Sequence, residues 1–202
     1  LIKKQAGGYQ QVLATITFTV SLPMEFKGTH MSRFLEILLP WREKPLAEEE
    51  MDAMLTEALD RLHAEAAEVR LAFTYFVEKS APVSGRTSLL DVDASFTGRK
   101  RRGMPMEFEL GLSMPFTSLC PCSKEISSYG AHNQRSRACV RLRFHESVPC
   151  IYIEDLAKLL EQQGSAPIYP LLKRADEKYV TEEAYEHPKF VEDILRDTVL
   201  AL

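Results

Sequence analysis

Hydrophobic and polar residues alternate along several stretches of this chain, and that alternation predicts strands. Residues 12–22 (VLATITFTVSL) put Val12, Ala14, Ile16, Phe18, Val20 and Leu22 on one face and Thr15, Thr17, Thr19 and Ser21 on the other. A period of two marks a half-buried strand. The same period returns in Val69, Leu71, Phe73, Tyr75 and Val77, then in Leu90, Val92, Ala94 and Phe96. It recurs in Met106, Phe108, Leu110, Leu112 and Met114, and in Ala138, Val140, Leu142 and Phe144. Turn-forming residues at 82–85 (PVSG) and 98–103 (GRKRRG) separate these runs.

Helical spacing appears in four other places. Residues 31–39 read as a short helix stopped by Pro40. Residues 47–65 space Met51, Met54, Leu55, Ala58, Leu59 and Leu62 as one face, with acids in the first turn where the helix dipole favours them. Residues 152–163 turn Ile153, Leu156, Leu159 and Leu160 inward, and a last helix begins at Pro188 with Phe190, Val191, Ile194 and Leu195. Helices are grouped rather than alternating with strands, so the expected class is α+β with a mostly antiparallel sheet. The length suits one well-buried domain, or two small ones. Such clean alternation leaves one sheet face wet or facing another subunit, and the sheet edges open to neighbours.

Composition narrows the class. The chain has 202 residues, is 45% hydrophobic and 27% charged, and carries a net charge of −4, which gives no global reason to bind nucleic acid. No apolar run approaches the roughly 20 residues of a membrane span. The 4 cysteines are too few for a disulfide scaffold, and Cys120 and Cys122 are poorly placed to bridge each other. A reducing cytoplasm is the expected compartment.

The chemistry concentrates at 118–136. Cys120 and Cys122 flank Pro121, and His132 follows in a polar stretch. Thiolate and imidazole are preferred ligands of zinc and similar ions. The bland alternative is two buried thiols and a histidine capping a turn. No second close pair completes a structural zinc knot, so an open, catalytic coordination position is the better reading. Lys27, His30 and Arg33 surround a helix start that would favour anions, or serve as an ordinary solvated helix entry. The basic run at 98–103 reads as a solvated hairpin tip, since no aromatic residues interleave it for base stacking. Glu177 could be a metal ligand or a surface charge, and Glu192 alone reads as a dipole-favoured surface acid.

Successive motifs carry a resemblance. KGTHMSRF at 27–34, APVS at 81–84, SLCPCSK at 118–124, YGAHNQR at 129–135, YPLLKR at 169–174, DEK at 176–178 and FVED at 190–193 resemble, in order, those of the type IB GTP cyclohydrolase I family. The resemblance implies a tunnelling fold, in which sheets with paired helices on one face close into barrels across subunits. It implies a homo-oligomer, a tetramer, with interfacial sites. The implied reaction converts GTP to 7,8-dihydroneopterin triphosphate and formate, the first step toward tetrahydrofolate, with metal-activated water attacking guanine C8. It implies one divalent ion, zinc, manganese or iron, on Cys120, His132 and Glu177, with Cys122 a neighbouring thiol.

By the same resemblance Cys120 and His132 are the catalytic residues present, and Glu192 anchors the guanine ring. Lys27, His30 and Arg33, or Lys124 and Arg135, are the cations for the triphosphate. The family's C-terminal Glu-Ser-Ile-His type motif, which supplies the general acid/base, is absent from these residues, as is the terminal strand that pairs with the first. The rival readings are an archaeal-type iron enzyme giving a cyclic phosphate, a non-catalytic zinc module, and a pterin- or purine-binding paralogue.

Overall fold

The computed structural model describes residues 1–22, 24, 25, 28, 30–144 and 151–202. Lys27, one of the candidate cations, and Cys150 lie outside the described residues. The chain opens with a small hairpin, β1 (Ile2–Lys3) and β2 (Tyr9–Gln10), followed by β3 (Ala14–Val20). Then come α1 (Met31–Leu38), a 3-10 turn at Leu39–Trp41 and α2 (Glu48–Arg61). Three long strands follow, β4 (Ala66–Ser80), β5 (Thr87–Arg101) and β6 (Glu107–Leu119). After α3 (Pro121–Ile126) and β7 (Asn133–Phe144) the chain ends in α4 (Ile153–Glu161), α5 (Arg174–Glu186) and α6 (Val191–Ala201).

One five-stranded sheet takes β3 to β7 in chain order. It is antiparallel, with Ala14 of β3 opposite Phe73 of β4 and Val20 opposite Ala67, and the class is α+β as the grouped pattern predicts. The alternation is literal along β4, where Ala67, Val69, Leu71, Phe73, Tyr75, Val77 and Lys79 are buried. The chain forms two compact units, Leu1–Tyr75 with Asp93–Gly111 and Val140–Tyr152, and Phe76–Val92 with Leu112–Cys139 and Ile153–Leu202.

In the first unit an aromatic row crosses four strands. Phe73 meets Phe96 edge-on at 5.3 Å, Phe96 meets Phe108 at 5.5 Å, and Phe108 stacks on Phe144 at 6.2 Å. Each such pair adds about 0.5–1.5 kcal/mol beyond area burial. Met51 and Leu55 of α2 rest directly on β5 because Gly98 lies beneath them. A Cβ there would come within 2.9 Å of Leu55 Cδ1.

Two expectations change here. The helix expected over 47–65 stops at Arg61, and His63 takes a left-handed conformation (φ 52°) that redirects the chain into β4. The basic run is a solvated tip only at its end, residues 101–103, which is exposed. β5 continues to Arg101, Arg99 pairs with Glu68 and Glu107 at 2.8 Å each, Lys100 with Asp52 at 2.6 Å and Arg102 with Asp60 at 2.8 Å. Acids on neighbouring strands and on α2, invisible in a linear reading, take up those charges.

The second unit departs further from pattern. α5 has no apolar stripe and buries only Asp176 and Ala184, so hydrophobic periodicity misses it. The short α3 buries nothing and is missed for the same reason. The last helix starts at Val191 rather than Pro188, with Phe190 as its cap residue. Three core positions of this unit are charged: Lys79 on β4 and Glu161 on α4, each 9% exposed, and Asp176 on α5, 0% exposed. The Lys79 ammonium donates to Glu161 Oε2 and sits 4.7 Å over the Tyr169 ring. Burial pushes the Glu161 carboxyl up, and the Lys79 hydrogen bond and charge pull it back only in part.

A buried pair of this kind contributes little by itself, yet breaking it strands a charge in the core. Lys79→Met is therefore expected to cost about 3–5 kcal/mol. Lys79→Met with Glu161→Leu should recover most of that, both read from urea midpoints.

Candidate functional site

Every described candidate except His30 and Arg33 belongs to the second unit. β6 ends at Leu119, which is 4% exposed. Its N–H donates to Ser165 Oγ at 3.0 Å and its carbonyl accepts the Lys189 N–H at 3.1 Å. Its side chain packs with Ala166 and Ala184, against which Ala131 and Val180 also lie. Gly164 permits the approach of this segment to β6, since a Cβ there would meet Phe116 Cδ2 at 2.8 Å.

Cys120 follows Leu119 and caps α3, whose first residue is Pro121, a position where proline's missing N–H costs nothing. The Cys120 N–H donates to the His132 carbonyl at 3.2 Å. The Ser123 hydroxyl donates to the Cys120 carbonyl at 3.0 Å and accepts the His132 N–H at 3.1 Å. Ser123 thus ties both donor residues into one loop, a role that residue type alone did not signal. Hydrogen bonds from the Ser123 N–H, opposed by partial burial and joined by the Ser123 hydroxyl and Cys122, hold the Cys120 thiol below the usual range. His132 is exposed.

Glu177 lies in the first turn of α5 and is exposed, without an ion pair among the described residues. Residues 177, 180 and 184 share one helix face by spacing of three and four. Val180 and Ala184 on that face pack against the neighbours of Cys120 and His132, so Glu177 is one turn along from them. Asp176 beside it is fully buried. Its Oδ1 accepts the N–H groups of Val83 and Ser84, and its Oδ2 accepts the Ser84 hydroxyl and the Lys173 N–H, all at 2.7–2.8 Å. Burial alone would raise its pKa, but those four donors hold it far below the carboxylate range. The motifs APVS at 81–84 and DEK at 176–178 are therefore two halves of one contact.

Glu192 is exposed in the first turn of α6, where the helix dipole favours its charge. α6 is moored beside the site by Lys189, whose ammonium also binds the Gln163 carbonyl at 3.2 Å and Asp197 at 2.7 Å. The cation candidates differ in availability. Lys124 donates to the Tyr185 carbonyl and lies 4.1 Å over the Tyr185 ring, bracing α3 to α5. Arg135 is exposed with no ion pair among the described residues, whereas Arg137, two residues on, donates to the Ser113 hydroxyl at 2.8 Å. In the first unit, Arg33 donates to the Arg61 carbonyl at 3.3 Å and His30 precedes α1 without a side-chain cap bond.

The donor chemistry of Cys120, His132 and Glu177 fits one borderline divalent ion: a thiol disposed to ionise, an imidazole and an unengaged carboxylate. Among the described residues no three His, Cys, Asp or Glu side chains already form a coordinating group. A cavity of about 590 Å³ lies instead in the first unit, lined by Thr19, Ser21, Glu68, Arg99 and Glu107 among others, and holds none of the candidates. Its central cation, Arg99, is saturated by carboxylates.

Comparison with known proteins agrees with the motif order. The whole chain, residues 1–202, matches the family described as type I GTP cyclohydrolase folE2. It is 52% identical over 194 residues to GTP cyclohydrolase FolE2 of Geobacter sulfurreducens, covering 96% of this chain and 73% of that protein. It is 50% identical to the protein of that name from Azoarcus sp., covering 97% and 71%. Against the one from Methylobacillus flagellatus it is 47% identical, covering 100% and 74%.

The loop geometry makes one expectation about reactivity. A lowered pKa means that the Cys120 thiolate persists at lower pH than an ordinary thiol. In metal-free protein its alkylation should reach half-maximal rate at lower pH than that of an ordinary thiol such as free glutathione, measured by peptide mass spectrometry. Ser123→Ala should move that midpoint upward.

Proposed function

Since this chain belongs to the type I GTP cyclohydrolase FolE2 family, we propose that the end of β6 and the helices moored to it form the GTP-handling surface of this enzyme. The protein is a GTP cyclohydrolase of folate biosynthesis. The observation that carries the site assignment is the anchoring at Leu119: one residue joins the Cys120–His132 loop, α5 with Glu177 and the start of α6 with Glu192.

Cys120, His132 and Glu177 hold one divalent ion, zinc, manganese or iron. Bound there, the ion lowers the pKa of water, supplying near neutral pH the nucleophile that opening guanine at C8 requires. Cys120 contributes a sulfur disposed to ionise, and Ser123 ties the backbones of Cys120 and His132 together. Glu192 accepts the N1–H and 2-amino donors of guanine in charge-assisted hydrogen bonds, a pattern adenine does not match. Arg135 takes the triphosphate, because Lys124 is already held by Tyr185. The products are 7,8-dihydroneopterin triphosphate and formate.

The working form is a homo-oligomer, a tetramer. His132, Glu177 and Glu192 lie open in one chain, and β3 and β7 stand at the sheet edges. α6 exposes Val191, Leu195 and Val199 along one side. A second copy walls the site and continues the sheet toward a barrel. Among the described residues no helix is long and apolar enough to cross a membrane. The described cysteines Cys120, Cys122 and Cys139 are free thiols, which suits a reducing cytoplasm.

Incubation of manganese-, zinc- or iron-loaded protein with GTP should yield formate and a fluorescent pterin after oxidation. A cyclic phosphate product would favour the archaeal-type reaction instead. Cys120→Ala should lose bound metal and turnover together while the fold survives; an unfolded variant would favour a bracing role for the thiol.

Glu192→Gln should weaken GTP binding about 10–100-fold, the size of one charge-assisted bond, and leave metal content unchanged. Arg135→Ala should raise the KM for GTP without affecting guanosine binding. An equal loss for both ligands would remove Arg135 from the triphosphate.

A further inference from the structure

α5 has little to hold it by hydrophobic contact. Its buried residues are Asp176 and Ala184, and Val180 is half-buried. Apart from the Lys124–Tyr185 contact near its far end, the helix is gripped by small side chains, and a rotation of one residue, about 100°, would carry Glu177 off its face. The constraint that prevents this is polar. Asp176 is 0% exposed, and both its oxygens are saturated by the turn after β4 and by the helix's own start at Lys173. Those bonds set both the height and the rotation of the first turn of α5, in which the next residue is Glu177.

We propose that Asp176, gripped by Val83 and Ser84, is a positioning residue that aims Glu177 at the Cys120–His132 loop. The inference rests on the reading of Glu177 as a metal donor. It assigns to the β4–β5 turn, which carries no metal-ligating side chain itself, control over metal affinity. The clamp needs no contact with metal or GTP to act. Partners that orient a ligand typically change metal affinity about 10–100-fold when removed.

Ser84→Ala is the appropriate probe, because it deletes one of the four hydrogen bonds and leaves the carboxylate and its backbone donors in place. Metal-free protein is titrated calorimetrically with Mn²⁺, with circular dichroism as the check on fold. Ser84→Ala should weaken Mn²⁺ binding about tenfold, and Ser84→Thr, which keeps the hydroxyl, should restore it. In the Glu177→Gln background, Ser84→Ala should cause no further loss, because a clamp that acts only through Glu177 has nothing left to aim.

An unchanged Mn²⁺ affinity in Ser84→Ala overturns the proposal. So does an equal loss with and without Glu177→Gln, which would mark a merely structural contact. If Glu177→Gln alone leaves Mn²⁺ binding intact, the donor reading of Glu177 fails and the proposal falls with it, an outcome distinct from the other two.

Discussion

Leu119 is held on three sides, and the arrangement of the second unit follows from that. Its N–H is fixed by Ser165, its carbonyl by the Lys189 backbone, and its side chain by Ala166 and Ala184. The strand therefore cannot shift without moving the segment after α4, the face of α5 and the entry to α6 together. Cys120 begins where that rigid point ends. A donor on a loop is only as well placed as its last fixed residue, and here the fixed residue is its immediate neighbour. Regular backbone up to Leu119 and a proline-started helix immediately after it leave the thiol little freedom.

The two units use charge differently. In the first, Arg99 and Lys100 of β5 are paired with acids on β4, β6 and α2, so most of a basic run of sequence becomes a structural network. Exposed pairs of this type contribute only about 0–1 kcal/mol each. In the second, three charged side chains are deeply buried, and several of the candidate ligands carry no ion pair among the described residues. Lys79, Glu161 and Asp176 are buried and partnered, whereas His132, Arg135, Glu177 and Glu192 stand open. Buried charges are poor sources of net stability but have strong directional demands. They suit a unit whose task is to hold several exposed ligands in fixed relation. Asp176 illustrates the trade: a helix with almost no apolar face is located by three hydrogen bonds to the turn after β4, which fix rotation as well as distance.

Legibility in the sequence followed the source of each element's stability. β4 to β6, α2 and α4 are held by apolar burial, while β3 and β7 alternate between half-buried and exposed positions, and periodicity announced them all. The errors there are boundary errors, such as the left turn at His63 and the continuation of β5 past Gly98. α5 and α3 carry no apolar stripe, so the same reasoning passed over them. The candidates themselves were legible as types: sulfur, imidazole and carboxylate in ordered motifs. Their supports were not. Ser123, Lys189 and Asp176 act through backbone groups distant in sequence, and a residue's type does not reveal which remote N–H or carbonyl it will meet.

The sequence alone thus determined the α+β class, the antiparallel sheet and, through motif order, the family and its GTP chemistry. These depend on local periodicity and residue identity, which a linear string preserves. Only the tertiary structure decided which cations are engaged: Arg99, Lys100 and Arg102 are internally paired, while Arg135 has no ion pair among the described residues. It alone also joined APVS and DEK into one clamp. Those outcomes are set by which partners folding brings within hydrogen-bonding distance, and a linear sequence does not contain that distance.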